Sequence, residues 1–417
     1  MRTKLLLILI LFSTQLISQD KITLFECQQK AISKHPLGLK KAELEKIKSL
    51  DMQIIQSAYL PKLLIGGQAS YQSDVINLDI DMPGINIPTP TKDQYKMFLD
   101  LNQIIYDGGL TKSRKELRKA SVKTEIQQLE VEMFGLKEKV NKFFFLDFIL
   151  KENLQLLINA KNLVSEKLGA VKSGVENGIL LQSDLLTMEV EIIKLEQNIE
   201  DVKLYLVSSL EILEILTGES LKNSQLSLPD NSVVLEKLSI RPENTLFQFQ
   251  KEQLNLAANL KKNENNPKIF GFGQFAYGKP GLNMLSEDFD TYFLAGIKLS
   301  WNFWDWQKTK KEVEIFKIKA DIIDFHKSSF EQGQNILLAN ASKNIGSLEQ
   351  KIDKDLKIIE LQKQILESFS SQLNNGVITS SEYLSQLNLV TQAEINLKTH
   401  EIQLIEAKID YNNIQGK

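Results

Sequence analysis

The residues of this chain that could do chemistry are few: three histidines, one cysteine and scattered carboxylates. His35, His326 and His400 lie in separate segments, and none has a second His or Cys at metal-ligand spacing. Solvated or core positions account for them better than a metal site does. No Gly-rich loop runs into Lys-Ser or Lys-Thr, and Gly271-Phe272-Gly273 sits in an alternating stretch, so no phosphate cradle is expected. Asp79-Ile80-Asp81 followed by Gly84 is a partial calcium-loop pattern without its distal Glu, and a solvated loop is the better reading. Nothing pairs a nucleophile with an activating base. The expectation is a protein that is not an enzyme and carries no cofactor and no metal. Two acids do share a pattern. Asp184 and Glu382 each stand six residues after a glycine, Gly178 and Gly376, and each opens a new apolar run.

Long helices must position those acids. Stepping by alternate threes and fours from Ile126 to Val175 meets an apolar residue everywhere except Asp147 and Lys161. From Leu185 to Leu216 the same stepping fails only at Ser209. A seven-residue repeat of this length, with no proline between Asp107 and Pro229, predicts long helices packed along a seam. A helix from Asp107 to Asn177 would extend roughly 105 Å at about 1.5 Å per residue. Asn177-Gly178 and Asn375-Gly376 read as helix C-caps, because glycine takes a positive φ without cost.

The pattern occurs twice. Asp305 follows Asp107, Gly376 follows Gly178 and Ser381-Glu382-Tyr383-Leu384 follows Ser183-Asp184-Leu185-Leu186, each at an offset of 198 residues. Even Thr217-Gly218 lines up with Gln415-Gly416. One offset held over four landmarks indicates an internal duplication. The expected organisation is a signal peptide over 1–18 and a first repeat over 19–218. That repeat holds strands at about 63–73 and 96–105, a long helix over 107–177 and a return helix over 181–216. A connecting segment spans 219–242. The second repeat, 243–417, has strands at about 268–277 and 292–304, a long helix over 305–375 and a return helix over 380–414.

Thr23-Leu24-Phe25-Glu26 has the form of a capping box, opening a helix that His35-Pro36 should kink and that stops at Leu60-Pro61. Basic Arg2 and Lys4, then apolar Leu5 to Phe12, read as a secretory leader cleaved before Gln19. Cys27 has no partner for a disulfide and lacks the small residues that precede a lipidated cysteine, so a buried place on the first helix is expected. Outside the leader no stretch offers eighteen uncharged apolar residues, which argues against a membrane-spanning helix. A net charge of −3 gives no reason to expect nucleic acid or an anionic surface as partner.

The strands differ from the helices in period. Leu63, Ile65, Gly67, Ala69 and Tyr71 share one face, and Met97, Leu99 and Leu101 share one opposite Phe98, Asp100 and Asn102. Phe293, Ala295, Ile297, Leu299, Trp301 and Phe303 alternate with Gly296, Lys298, Ser300 and Asn302. Strands of about ten residues suit a tilted outer-membrane crossing. Tyr71, Tyr106, Trp301, Phe303, Trp304 and Trp306 at or near their ends would form an interfacial girdle in outer-membrane lipid. Four strands cannot close a barrel, and no sheet can leave an edge in lipid. Several chains must then share one barrel, two or three being the smallest closed rings.

The chain resembles the outer-membrane efflux protein (TolC) family. The resemblance is carried by Thr23-Leu24, Leu60-Pro61, Gln103-Ile104-Ile105-Tyr106-Asp107-Gly108-Gly109, and the two Gly-x5-acid-x-Leu/Tyr-Leu tips, Gly178 with Asp184-Leu185-Leu186 and Gly376 with Glu382-Tyr383-Leu384. It implies a mainly α fold with a small membrane β-sheet: a homotrimer in which four strands per chain build a shared β-barrel and the long helices a periplasmic α-barrel. It also implies docking to a periplasmic adaptor (membrane fusion protein) and an inner-membrane pump of RND or ABC type. Asn177, Gly178, Ile179, Asn375, Gly376 and Val377 would touch the adaptor. Glu382 occupies the position of an acid that rings the closed entrance in the family, with Asp184 its counterpart in the first repeat. Ser385 stands where some members carry a second acid, so the resemblance supplies only one ring. Crowded carboxylates at a narrow mouth would repel anions, attract cations and resist closure. The functional expectation is a passive exit duct of a tripartite efflux or type I secretion system. The rival is a soluble periplasmic coiled-coil protein, structural or adaptor-like.

Overall fold

The computed structural model describes residues 21–76, 89, 91–222, 224–230, 241–284 and 286–417. The leader expected over 1–18 and the Asp79-Ile80-Asp81 loop lie outside the described residues. The chain forms two compact units, one made of residues up to Gly38, Glu132–Arg241 and Gln332–Lys417, the other of Leu39–Val131 and Pro242–Glu331. Each unit draws on both halves of the duplication.

The second unit holds a four-stranded antiparallel sheet in the order β2-β3-β5-β6, with β2 Lys62–Tyr71, β3 Asp93–Tyr106, β5 Lys268–Lys279 and β6 Asp290–Ser300. Leu63 pairs with Leu101, Leu101 with Gly273 and Gly273 with Ala295, so the odd-numbered residues of this register share one face. That face is apolar, and Leu63, Ile65, Met97, Phe275, Phe293 and Ile297 on it are exposed. The opposite face is mixed. Lys96 Nζ donates to Gln274 Oε1 at 2.9 Å, and Gln274 Nε2 donates to Asp100 Oδ1 at 2.6 Å. On that face the ring of Phe98 covers its partner Gly66, and the ring of Phe272 covers its partner Gly296. A Cβ on Gly66 would lie 2.3 Å from Phe98 Cζ, so glycine is what lets the ring lie flat. The two hairpins make the same pair with the partners exchanged.

Two expected boundaries move. β6 ends at Ser300 rather than 304, because its partner strand begins at Lys268, directly after Pro267, which has no N–H to extend the ladder. Trp301, Phe303 and Trp304 therefore follow the strand. The first helix is broken rather than kinked at His35-Pro36, giving α1 Leu24–Lys34 and α2 Leu37–Ser57.

Each long helix leaves the sheet through one turn, used twice. Asp107 caps α3 (Leu110–Glu176): its carboxylate accepts from the amides of Thr111 at 2.6 Å and Gly109 at 3.0 Å and from the Tyr59 hydroxyl at 2.8 Å. Asp305 caps α6 (Lys308–Asn374), accepting from the Thr309 amide at 2.9 Å and from Asn265 Nδ2 at 2.7 Å. In the first repeat Gly108 and Gly109 supply the left-handed backbone, with φ of 71° and 86°. A side chain at Gly108 would meet Asn266 Cβ at 2.5 Å. In the second repeat the same positions are Trp306 and Gln307, held at φ of 54° and 62°, a conformation costing a non-glycine residue about 1–2 kcal/mol.

The first unit is helical. α4 (Gln182–Thr217) and α7 (Ser380–Ile414) return along α3 and α6, and α5 (Pro242–Glu264) belongs to the other unit. Leu129, Met133, Leu136, Val140, Leu150, Val164 and Val171 of the expected α3 seam are buried. The exceptions have partners. Asp147 is buried and reaches Lys151 Nζ at 2.6 Å, Lys161 reaches Glu196 at 2.8 Å, and the Ser209 hydroxyl donates to Leu206 O at 3.0 Å. Cys27 is fully buried in a core with Phe144, Phe145, Leu213, Leu226 and Ile405. There β1 (Lys21–Thr23) pairs in parallel with β4 (Gln225–Ser227) of the connecting segment, two strands that the sequence reading did not anticipate.

Replacing the Asp107 cap by alanine is expected to cost about 1–2 kcal/mol, measurable as a fall in thermal stability of the purified protein. Hydrogen bonds from Thr309 and Asn265 hold the Asp305 carboxyl at about 2, below its ordinary 3.8. The α6 cap is therefore at full strength above pH 3.8 and is lost as pH falls toward 2. Protection of the Thr309 amide against hydrogen exchange should fall in that window and stay constant above it.

Candidate functional site

The two helical hairpins turn at paired tips, and both turns use one hydrogen-bond scheme. At the first, Ile179 N donates to Gly174 O at 2.8 Å and Gly178 N to Val175 O at 3.0 Å. At the second, Val377 N donates to Gln372 O at 2.9 Å and Gly376 N to Leu373 O at 3.0 Å. This six-to-one and five-to-two pattern needs a left-handed residue at its hinge, and Gly178 and Gly376 supply it with φ of 71° and 66°. The amide side chains of Asn177 and Asn375 close the last turns on the carbonyls of Ser173 and Ser371 at 2.8 and 2.9 Å.

The structure brings the two tips together. A Cβ on Gly376 would lie 3.0 Å from Ile179 Cγ2 and 3.2 Å from Ile179 O, so glycine there also permits the close approach. Behind the turns, Val164, Val171 and Met188 of the first hairpin share a core with Leu373, Tyr383 and Leu387 of the second. Outside the core Ile179, Leu181 and Val377 stay 58–69% exposed, an unusual amount of apolar surface for helix ends.

The two acids differ in role. Asp184 is buried, and its carboxylate spans both hairpins: Oδ2 accepts from Leu181 N at 3.1 Å, closing its own helix, and Oδ1 accepts from Ser380 N at 2.8 Å, capping the other. Glu382 is exposed and folds back on Thr379, accepting from its amide at 2.8 Å and its hydroxyl at 2.9 Å. The Thr379 amide and hydroxyl hold its carboxyl below the usual glutamate range, so it is ionised at neutral pH. Ser385, one turn on, is exposed. The cross-link through Asp184 was not read from the sequence. Its one local sign is that position 181, the cap of α4, is leucine and cannot cap, whereas Thr379 can.

The remaining candidate groups lie elsewhere. His400 Nδ1 is 2.6 Å from Asp355 Oδ2 in the α6–α7 seam. Among the described residues no cluster of three His, Cys, Asp or Glu side chains could hold a metal ion. Tyr71, Tyr106, Trp301, Phe303 and Trp304 are exposed at or just beyond the ends of the strands.

No protein-family model and no curated protein matches the sequence. Solved structures match the fold over nearly its whole length. The outer membrane protein VceC of Vibrio cholerae gives a TM-score of 0.68 at 10% identity, covering 94% of this chain and 96% of that one. The CmeC outer membrane channel of Campylobacter jejuni gives 0.65 at 16% identity over 94% and 85%. The open state of the MtrE outer membrane channel of Neisseria gonorrhoeae gives 0.65 at 16% identity over 94% and 89%. This is the TolC-family fold. Within a TolC-type chain the duplicated hairpins, the sheet with four strands and the paired tips are parts of one architecture, preserved at identities this low because seam, cap and turn constrain residue type more than residue identity.

Asp184→Ala would leave the Ser380 amide buried without an acceptor, at a cost of about 1–3 kcal/mol. Faster hydrogen exchange is expected at Ser380 and at Leu181, on both tips at once. Glu382→Ala should speed exchange only at Thr379 and its neighbours on the second tip.

Proposed function

We propose that three copies of this chain close a twelve-stranded outer-membrane barrel, whose helices form a hollow periplasmic conduit. The chain then serves as a passive exit duct in a tripartite efflux or type I secretion assembly. The observation that carries this reading is the sheet. One face is apolar and exposed, and β2 and β6 each have an edge with no partner. An unpaired strand edge in lipid costs several kcal/mol for each unsatisfied backbone group, so the edges must meet those of other copies. The solved channels of the same fold support this reading, and TolC-family channels are trimers. No described helix is long and apolar enough to cross a membrane, which leaves the sheet as the spanning element. The soluble adaptor-like reading would need the apolar face to pack inside the chain, and Leu63, Ile65, Phe293 and Ile297 are exposed instead.

The tips are the proposed gate and docking surface. Ile179 and Val377 offer apolar contact to a periplasmic adaptor, and an inner-membrane pump of RND or ABC type supplies the energy. Glu382, ionised and exposed, would ring the entrance in three copies, while Asp184 holds the two tips of each copy in register. Opening would shift the tip helices apart and break the Asp184–Ser380 bond.

Purified from outer membranes in mild detergent, the protein should give a three-chain particle by native mass spectrometry and conducting channels in planar bilayers. A monomer without channel activity would refute the duct. Glu382→Ala should weaken cation selectivity, and Asp184→Ala should raise the open fraction of single-channel records. Ile179→Asp with Val377→Asp should abolish adaptor cross-linking while conductance is retained.

A further inference from the structure

The near-neutral net charge conceals a local segregation. Between Asp107 and Lys123 six cations stand against two acids, and between Asp305 and Lys319 five stand against three. The leading acid of each run, Asp107 or Asp305, is occupied by its helix cap. Lys112, Arg114, Lys308, Lys310 and Lys311 are exposed, and none forms an ion pair among the described residues. Helix stability does not require them, because an acid is the favoured residue in a first turn. α1, α4, α5 and α7 each carry one there, namely Glu26, Asp184, Glu243 and Glu382. α3 and α6, the helices that leave the sheet, carry none.

Beside these cations lies an aromatic surface. Trp301, Phe303, Trp304 and Trp306 are 59–81% exposed, with Trp304 and Trp306 edge to face at 5.7 Å. Trp306 keeps its left-handed backbone where the first repeat has glycine. A strained, exposed tryptophan is unfavourable in water on both counts. Alongside Lys310, α5 and α6 form a groove of about 580 Å³ lined by Lys262, Thr309, Lys310, Val313, Glu314 and Lys317. Three ammonium groups and a hydroxyl against one carboxylate suit a phosphate diester.

The order along the chain reproduces the order of a bilayer leaflet. Apolar Phe293 to Leu299 come first, then aromatics from Trp301 to Trp306, then cations from Lys308 to Lys311. The first repeat follows it with Met97 to Leu101, Tyr106, and Lys112 to Lys115. Acyl chain, interface and anionic headgroup occur in that sequence. We propose that this aromatic and basic collar docks anionic phospholipid, through its phosphate diester headgroup, in the leaflet at the helix end of the barrel. The proposal rests on the membrane reading given above.

All three tryptophans of the chain lie between positions 301 and 306, so intrinsic fluorescence reports on this turn alone. The full chain is reconstituted in mixed phosphatidylethanolamine and phosphatidylglycerol vesicles, with acyl-chain bromines placed on one lipid or the other. Brominated phosphatidylglycerol is expected to quench more strongly than its counterpart, and the excess should vanish at high salt and in a Lys308→Gln, Lys310→Gln, Lys311→Gln variant. Equal quenching by the two lipids, or an excess that survives the triple substitution, overturns the collar and leaves the membrane reading standing. Quenching by neither lipid overturns both. Trp306→Gly gives an independent check: melting temperature in detergent should rise as strain is relieved, while the excess quenching falls. A fall in melting temperature would assign Trp306 to folding stability and count against the proposal.

Discussion

A β-sheet has two edges, and water is what normally makes them tolerable. On the proposed reading this sheet stands in lipid, where each unpaired amide and carbonyl on β2 and β6 lacks a partner. Much else in the chain is consistent with that constraint. The outward face carries apolar residues with no polar interruption deep enough to need a partner, and the polar hydrogen bonds of Lys96, Gln274 and Asp100 are confined to the other face. Pairing with further copies satisfies the edges and places the helices of those copies side by side.

Duplication lets one solution serve twice, and the places where the copies differ are informative. Asp107 and Asp305 cap their helices through the same threonine four residues on. The turn between cap and helix is left-handed in both, yet only the first repeat meets that need with glycine. Asn266 packs against Gly108 and leaves no room for a side chain, while Trp306 projects into open space. The Phe98–Gly66 and Phe272–Gly296 pairs show the same freedom. The sheet requires one ring and one glycine at that level, and either strand can provide either.

The tips show how a small number of bonds couples two similar hairpins. Each turn is complete by itself through its own glycine and asparagine. Contact between them depends on Ile179 resting against Gly376 and on one carboxylate divided between two helix starts. A buried charge-assisted bond of this kind is strong while made and costly while broken, which suits an element with two discrete arrangements. Thr379 and Glu382 make a separate, solvated closure that leaves the carboxylate free to act on what passes.

Much of this was legible in the residues alone. Helical period, strand alternation, the 198-residue offset and the Asn-Gly turns are local patterns, set by backbone geometry and by which side of an element is apolar, so the elements and their duplication follow from spacing. The ion-paired exceptions Asp147 and Lys161 could be located but not explained, because Lys151 and Glu196 become partners only when turns stack or helices meet. Tertiary structure alone decided the pairing of β1 with β4 and the end of β6 at Ser300. It also decided the different fates of Asp184 and Glu382, alike in spacing and unlike in burial. Those outcomes depend on which segments, far apart in the chain, come within a few ångströms of each other, and no local pattern encodes that distance.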